Sequence, residues 1–242
     1  MGQWPEAGPH LARAHELIEA QGGRLQGNFH IVLPHFRANL AMGTGRLEEA
    51  RQILESALVH ATYHQPIWLY HDLAWCHLML GDVAAARAAM EQSLRARDRL
   101  RCIICGCQAN GVGAEFYARI GEEAQADVLS RAAEATAREI GHVTTQIRVL
   151  RARAHLALKA GVPGRAVDAA QQAVALGRNM PLLQPYEVGQ SLLVLGSAQR
   201  GAGQAEPAAA SWREARSLFE RLGAAWHLRQ VDEAIARAGA TA

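Results

Sequence analysis

The residues best suited to chemistry fall in one stretch of the chain. Cys102-Ile103-Ile104-Cys105-Gly106-Cys107 follows a segment that carries His60, His64, His71, Cys76 and His77. Thiolates and imidazoles are the ligands zinc and copper want, and a Cys-x-x-Cys spacing puts two sulfurs on one side of a helical turn. A closed structural zinc site usually uses two such pairs, and only one is present. The plainer expectation is that these cysteines are buried and act as small apolar side chains. No metal and no other cofactor is therefore expected. Cys102, Cys105, Cys107 and His64 are the candidate ligands if a metal binds, and a redox pair within the cluster is the remaining alternative.

A second group is cationic. Arg148, Arg151, His155 and Lys159 are spaced by three, four and four residues, so on a helix they share one face. Such a stripe suits an acidic partner, because a guanidinium can hold a carboxylate by two parallel hydrogen bonds. The bland alternative is a solvated helix face partly neutralised by neighbouring glutamates. Arg95, Arg97, Arg99 and Arg101 form another basic cluster, interleaved with Asp98, at a position where a helix end favours cations anyway.

Catalytic signatures are missing. The sequence has no Gly-x-x-x-x-Gly-Lys-Ser/Thr loop, no His-Glu-x-x-His and no Gly-x-Ser-x-Gly elbow. Gly201-Ala202-Gly203 and Gly111-Val112-Gly113 follow no strand and fall where a repeat already asks for small residues. The chain is expected not to be an enzyme. Lys+Arg 25 against Asp+Glu 23 leaves a formal charge of +2, too little for the basic footprint of a nucleic-acid binder, so no direct nucleic-acid contact is expected. With only 4 cysteines in 242 residues a secreted disulfide scaffold is excluded, and the first twenty residues lack an apolar signal core. A cytoplasmic location is expected. No apolar run approaches the roughly 20 residues of a membrane-spanning helix, so no membrane association is expected either.

What must position these groups is a repeated element. Gly45, Gly81, Gly121, Gly161 and Gly203 recur at near-regular spacing. Five residues after each stands an alanine (Ala50, Ala86, Ala126, Ala166, Ala208). Twelve after stands Ala57, Ser93, Ala133, Ala173 or Ala215, and seven before stands Ala38, Ala74, Ala114, Ala154 or Gly196. A glycine that ends one helix, flanked by small residues where a second helix must pass closely, describes a helical hairpin. One hairpin cannot bury its apolar stripe alone, so the hairpins must stack into an all-α solenoid with an inner and an outer face. Repeats are expected at 30–64, 65–100, 101–142, 143–181 and 182–222, as a single solenoid domain. Leu11, Ala14 and Ile18 suggest half a repeat at 10–29, and Leu228, Val231 and Ile235 a capping helix in 223–242. A chain that starts midway through a repeat is expected to be the C-terminal part of a longer protein.

These positions resemble the tetratricopeptide repeat. Leu73-Ala74 and Leu195-Gly196 match its first-helix Leu-Gly/Ala pair, and the glycine-plus-five alanines match its second helix, over roughly residues 30 to 220. The usual period is about 34 residues, and the longer spacing here is similar to the arrays of bacterial signal-transduction ATPases and MalT-like regulators, as is the closing segment from Arg216 to Trp226. The bulky second-helix position departs from the pattern, reading Leu54, Met90, Ser130, Ala170 and Trp212. The resemblance implies a right-handed superhelix whose first helices line a concave groove. It places Val32, His35, Asn39, Met42, Trp68, His71, Trp75, Leu78 and Met79 toward one end of that groove. Toward the other it places Gln108, Glu115, Arg119, Arg148, Arg151, His155, Lys159, Gln190, Ser197 and Arg200. The leading expectation is a protein-interaction scaffold for an acidic peptide or protein segment: Arg119, Arg148, Arg151, His155, Lys159 and Arg200 would face its carboxylates, and Trp68, His71 and Trp75 an apolar side chain. A small-molecule effector in the same groove of a transcriptional regulator or signalling ATPase is the first alternative, and a metal or redox sensor at the cysteine cluster the second. Oligomeric state is not legible.

Overall fold

A computed structural model describes residues 4–20, 29–180 and 184–239. Parts of the expected leading repeat (21–28), the expected boundary at 181–182 and the last residues of the expected cap (240–242) lie outside them. Among the described residues the chain is all helix. The order is α1 (Trp4–Ala20), α2 (Phe29–Gly43), α3 (Leu47–Leu58), α4 (Gln65–Leu80), α5 (Val83–Asp98) and α6 (Ile103–Ile120). It continues with α7 (Glu123–Glu139), α8 (Val143–Lys159), α9 (Pro163–Arg178), α10 (Pro185–Gly201), α11 (Ala205–Leu222) and α12 (Ala225–Gly239). α2/α3 and α4/α5 are stacked helical hairpins, as are α6/α7, α8/α9 and α10/α11, the arrangement of an all-α solenoid.

The spaced glycines make the hairpin turns. All five have positive φ, between 69° and 91°. At Gly81 (φ 88°) the left-handed turn brings the Asp82 amide onto the His77 carbonyl at 2.9 Å, closing α4, and the Asp82 side chain then accepts from the Ala85 N–H at 2.9 Å to open α5. A residue with a Cβ would pay for that conformation, which is why glycine stands there.

The small residues are the packing surface. The alanines five residues after each glycine are wholly buried, and the positions twelve after and seven before are buried too. In the last copy the small position is Gly196, and the space its missing side chain leaves is filled by the Trp212 indole, whose N–H donates to the Leu193 carbonyl. A large second-helix residue and an absent first-helix side chain thus compensate within one hairpin. Where serine replaces alanine at Ser93, its hydroxyl donates to the Ile67 carbonyl at 2.8 Å, so the buried polar atom is satisfied.

The chain divides after Cys102 into two compact units. The amino-terminal unit holds α1 to α5. Its core is built on Leu54, Ile67, Leu69, Leu73 and Met90. On α1 the residues Leu11, Ala14 and Ile18 are half-buried while their neighbours face solvent, and the Trp4 ring lies over Gly43 at the end of α2. The carboxy-terminal unit holds α6 to α12 around Phe116, Ile147, Val188, Leu192, Phe219 and Leu222. Here α12 packs on α10 and α11 through buried Val231 and through His227, whose ring lies 4.9 Å from Phe219 and 5.0 Å from Tyr186.

Candidate functional site

In the carboxy-terminal unit the first helices of three hairpins are tied together by charge. Arg151 on α8 is fully buried. Its Nε and one terminal nitrogen donate to both oxygens of Glu115 on α6 at 2.7 and 2.9 Å, and the other donates to Glu187 on α10 at 2.5 Å and to its carbonyl at 3.3 Å. Arg148, one turn earlier on α8, completes the cluster with ion pairs of 3.1 Å to Glu187 and 3.5 Å to Glu115. Burial alone would lower the Arg151 pKa; the charges and hydrogen bonds of the two glutamates outweigh it and raise it. Burial would likewise raise the Glu115 carboxyl, yet the charge and hydrogen bonds of Arg151 hold it at about 2. Two guanidiniums and two carboxylates cancel, leaving a neutral, rigid strut under the first-helix face.

That strut corrects one expectation. Arg151 was expected to face a partner, but with no exposed surface and four of its N–H bonds engaged it cannot receive an outside carboxylate. Helical periodicity identifies which residues share a face; it does not tell which of them meets a neighbouring helix. The other members fare differently. Arg148 keeps partial exposure, and the Lys159 ammonium lies over Gly121 at the C-terminal end of α6, where unpaired carbonyls favour a cation. Arg200 donates to the Ala238 carbonyl at 3.0 Å near the end of α12.

Arg119 and His155 open instead onto a cavity of about 150 Å³ between α6, α8, α10 and α12. Gln190 and Ser197 of α10 line it, and so do His227, Gln230 and Arg237 of α12. Arg119 reaches Gln230 at 3.4 Å, and its guanidinium carbon sits 5.9 Å from the Trp226 ring centre. Burial, reinforced by the charge of Arg119, pushes the imidazoles of His155 and His227 down to about 3, so both are neutral near pH 7. The α12 residues were not among those the sequence singled out. Their signal is the spacing of His227, Gln230 and Arg237, which puts them on one side of the helix, beside the buried Val231.

In the amino-terminal unit the corresponding feature is aromatic and acidic. Asp72 on α4 is buried. His35 on α2 meets it at 2.9 Å and Asn39 donates to the same oxygen at 3.0 Å, while His71 meets the other oxygen at 3.3 Å. Burial would raise the Asp72 carboxyl, but the charge of His71 and the histidine hydrogen bonds hold it well below the usual carboxylate range. Burial would lower His35, and the bond and charge of Asp72 raise it instead. The Trp68 ring lies 4.5 Å from His64 and 6.1 Å from His35, and its N–H and the Nδ1 of His71 are buried with no hydrogen-bond partner among the described residues. Trp75 is half-buried one turn beyond His71 on the same helix. Asp72, which organises this corner, was not singled out in the sequence.

The cysteines are placed as packing groups. The Cys76 thiol donates to the Leu47 carbonyl at 3.2 Å and burial pushes its pKa up to about 12; burial raises Cys107 as well. Cys105 is buried and Cys102 half-buried. Among the described residues no group of three or more His, Cys, Asp or Glu side chains is placed to hold a metal ion.

Hairpin turns on left-handed glycines, small residues at the helix crossings and first helices that gather the polar groups define a tetratricopeptide-like repeat fold. The family model of the tetratricopeptide repeat matches residues 31–99. No curated protein matches the chain. Among solved structures the chain is similar to BtubC (BKLC) from P. vanneervenii, at 17% identity over 89% of each chain with a TM-score of 0.59. It is similar to a Rap protein complexed with competence and sporulation factor, at 12% identity and a TM-score of 0.66, over 88% of this chain and 62% of that one. A third is a signal-transduction ATPase with numerous domains from Pyrococcus horikoshii that has a tetratricopeptide-repeat sensor. The match is 13% identical with a TM-score of 0.58, over 84% of this chain and 31% of that one. At these identities the likeness is one of fold. The chain spans less than two thirds of the length of the last two.

Proposed function

We propose that this chain is a non-catalytic interaction module that holds a segment of a partner protein against its first helices. The observation that carries the reading is the Arg151–Glu115–Glu187 strut. Burying such charges costs more than an apolar core of equal volume, and what it does is fix α6, α8 and α10 beneath a polar face that core packing does not require. The Arg119 guanidinium on that face, with Lys159 at its rim, favours an acidic segment. In the amino-terminal unit Trp68, His71 and Trp75 supply the aromatic surface that would take an apolar side chain. The Rap protein in its complex with a factor, and the sensor of the ATPase, show the same fold serving recognition in other proteins, and they support a regulatory setting for this one. A place in a signalling ATPase or MalT-like transcriptional regulator, and a cytoplasmic location, belong to the same proposal.

Selection of a displayed random-peptide library on the whole chain tests it. Enriched peptides are expected to be rich in Asp and Glu, to bind more weakly at high salt, and to lose about tenfold in affinity or more on Arg119→Glu. Arg213→Glu, on the exposed side of α11, serves as the control and should leave binding intact. No enrichment, or equal binding to both variants, would reject the reading.

A further inference from the structure

In the amino-terminal unit one end of the α4/α5 hairpin gathers exposed groups that the proposed partner surface does not use. The Ser93 hydroxyl on the Ile67 carbonyl fixes how the two antiparallel helices lie side by side. From that level, at about 1.5 Å per residue, Tyr63 lies about 6 Å out before the start of α4 and Arg99 about 9 Å out at the end of α5. Both therefore project from the same end, with Val59 in the loop that carries Tyr63. Val59 is 77% exposed and Tyr63 81%, the two most exposed large apolar side chains among the described residues. The loop is built to hold them out. Gln65, buried at the start of α4, accepts from the Thr62 N–H at 2.9 Å through its side chain and donates its own N–H to the Thr62 carbonyl at 3.1 Å. Tyr63, held between them, has a φ of 51°, a left-handed conformation that a bulky residue rarely adopts. The cations at this end are not all matched. Arg95 is paired with Glu91 and Arg97 with Asp98, whereas Arg99 and Arg101, both exposed, have neither an ion pair nor a side-chain hydrogen bond among the described residues.

We propose that this tip docks the amino-terminal unit on an anionic lipid bilayer. Arg99 and Arg101 meet the lipid phosphates, while Val59 and Tyr63 enter the interfacial layer, where tyrosine rings are favoured. Two apolar side chains on a protruding tip, with two unmatched guanidiniums at about the same level, fit a surface that is anionic outside and apolar just beneath. A folded protein would need a pocket shaped to the tip, whereas a bilayer yields to it. No helix of the described residues is long and apolar enough to cross a membrane, and contact of this kind needs none. Each arginine brought to an anionic surface tightens binding by about fivefold, so the docking is reversible and sensitive to salt. The tip shares no residue with the face proposed to hold a partner segment, so either proposal can fail without the other.

The test is co-sedimentation of the whole chain with vesicles of phosphatidylglycerol and phosphatidylcholine in equal parts, beside vesicles of phosphatidylcholine alone. Soluble polyglutamate is the third arm. Binding is expected to the anionic vesicles only, and to weaken at about 0.5 M salt. Reversing both charges, Arg99→Glu with Arg101→Glu, should lower it about thirtyfold or more. Replacing the tip, Val59→Ser with Tyr63→Asn, should lower it about tenfold, asparagine being at ease in the left-handed conformation of Tyr63. All four positions are exposed, so the helical circular dichroism should be unchanged. Arg213→Glu, on the exposed side of α11, is the control for unspecific charge effects and should bind as the parent does. Absence of binding to the anionic vesicles, equal binding to both kinds, or binding that survives either pair of substitutions would overturn the proposal. Polyglutamate held by Arg99 and Arg101 without vesicle binding would overturn it as well and make the occupant an acidic protein.

Discussion

Arg151 shows how far single residues could be understood from their order in the chain. Its place on a cationic helix face was legible from the spacing of Arg148, Arg151, His155 and Lys159. Its burial was not, because the glutamates that neutralise it stand on other helices, each 36 residues away. Removing it leaves two buried carboxylates without their main partner. Arg151→Ala is therefore expected to cost about 3–5 kcal/mol in denaturant unfolding, and Arg148→Ala, whose partners keep Arg151, about 1 kcal/mol. Equal losses would mean that the strut does not bear on stability as described. Gly196 is the second residue-scale case. A Cβ there would overlap the Trp212 indole, so Gly196→Ala should destabilise by about 1–3 kcal/mol. An additional Trp212→Leu change should recover part of the loss; no recovery would place the strain elsewhere.

At the scale of elements, the hairpins were legible because turn glycines and crossing alanines are local signals repeated five times. The role of α12 was not. Its apolar residues read as a cap, and only the packed structure shows its polar side closing a cavity. The clusters those elements assemble also titrate in opposite senses. His155 and His227 have folded pKa values of about 3, below the ordinary 6.5, so their contribution to the carboxy-terminal unit is full above about pH 6.5 and is lost as pH falls. His35 is raised above 6.5 and Asp72 lowered below 3.8. Their contribution to the amino-terminal unit is full between those two values, is lost as pH rises through the His35 pKa, and is lost as pH falls through that of Asp72. Amide hydrogen exchange on the intact chain, corrected for intrinsic rates, should show α2 and α4 better protected at about pH 5 than at about pH 7.5, and α10 and α12 less so. A change of the same sign in both units would contradict the assigned pKa directions. In Asp72→Asn the dependence of α2 and α4 should flatten.

For the whole molecule, the solenoid class was legible in the sequence, and the surface proposed for recognition only in outline. The resemblance to the tetratricopeptide repeat assigned most of the polar groups to first helices. It could not rank Arg119, which borders an open cavity, above Arg151, which is sealed beneath one, because that difference arises from contacts between hairpins. The functional claim is that the first-helix faces bind and the second helices only support. Its most direct measurement is the footprint of a selected acidic peptide on the intact chain, by amide exchange together with side-chain NMR of Arg and Trp. Protection and shifts confined to α6, α8, α10 and α12, centred on Arg119, are the expected result. A footprint on α7, α9 and α11, with Arg119 unmoved, would contradict it.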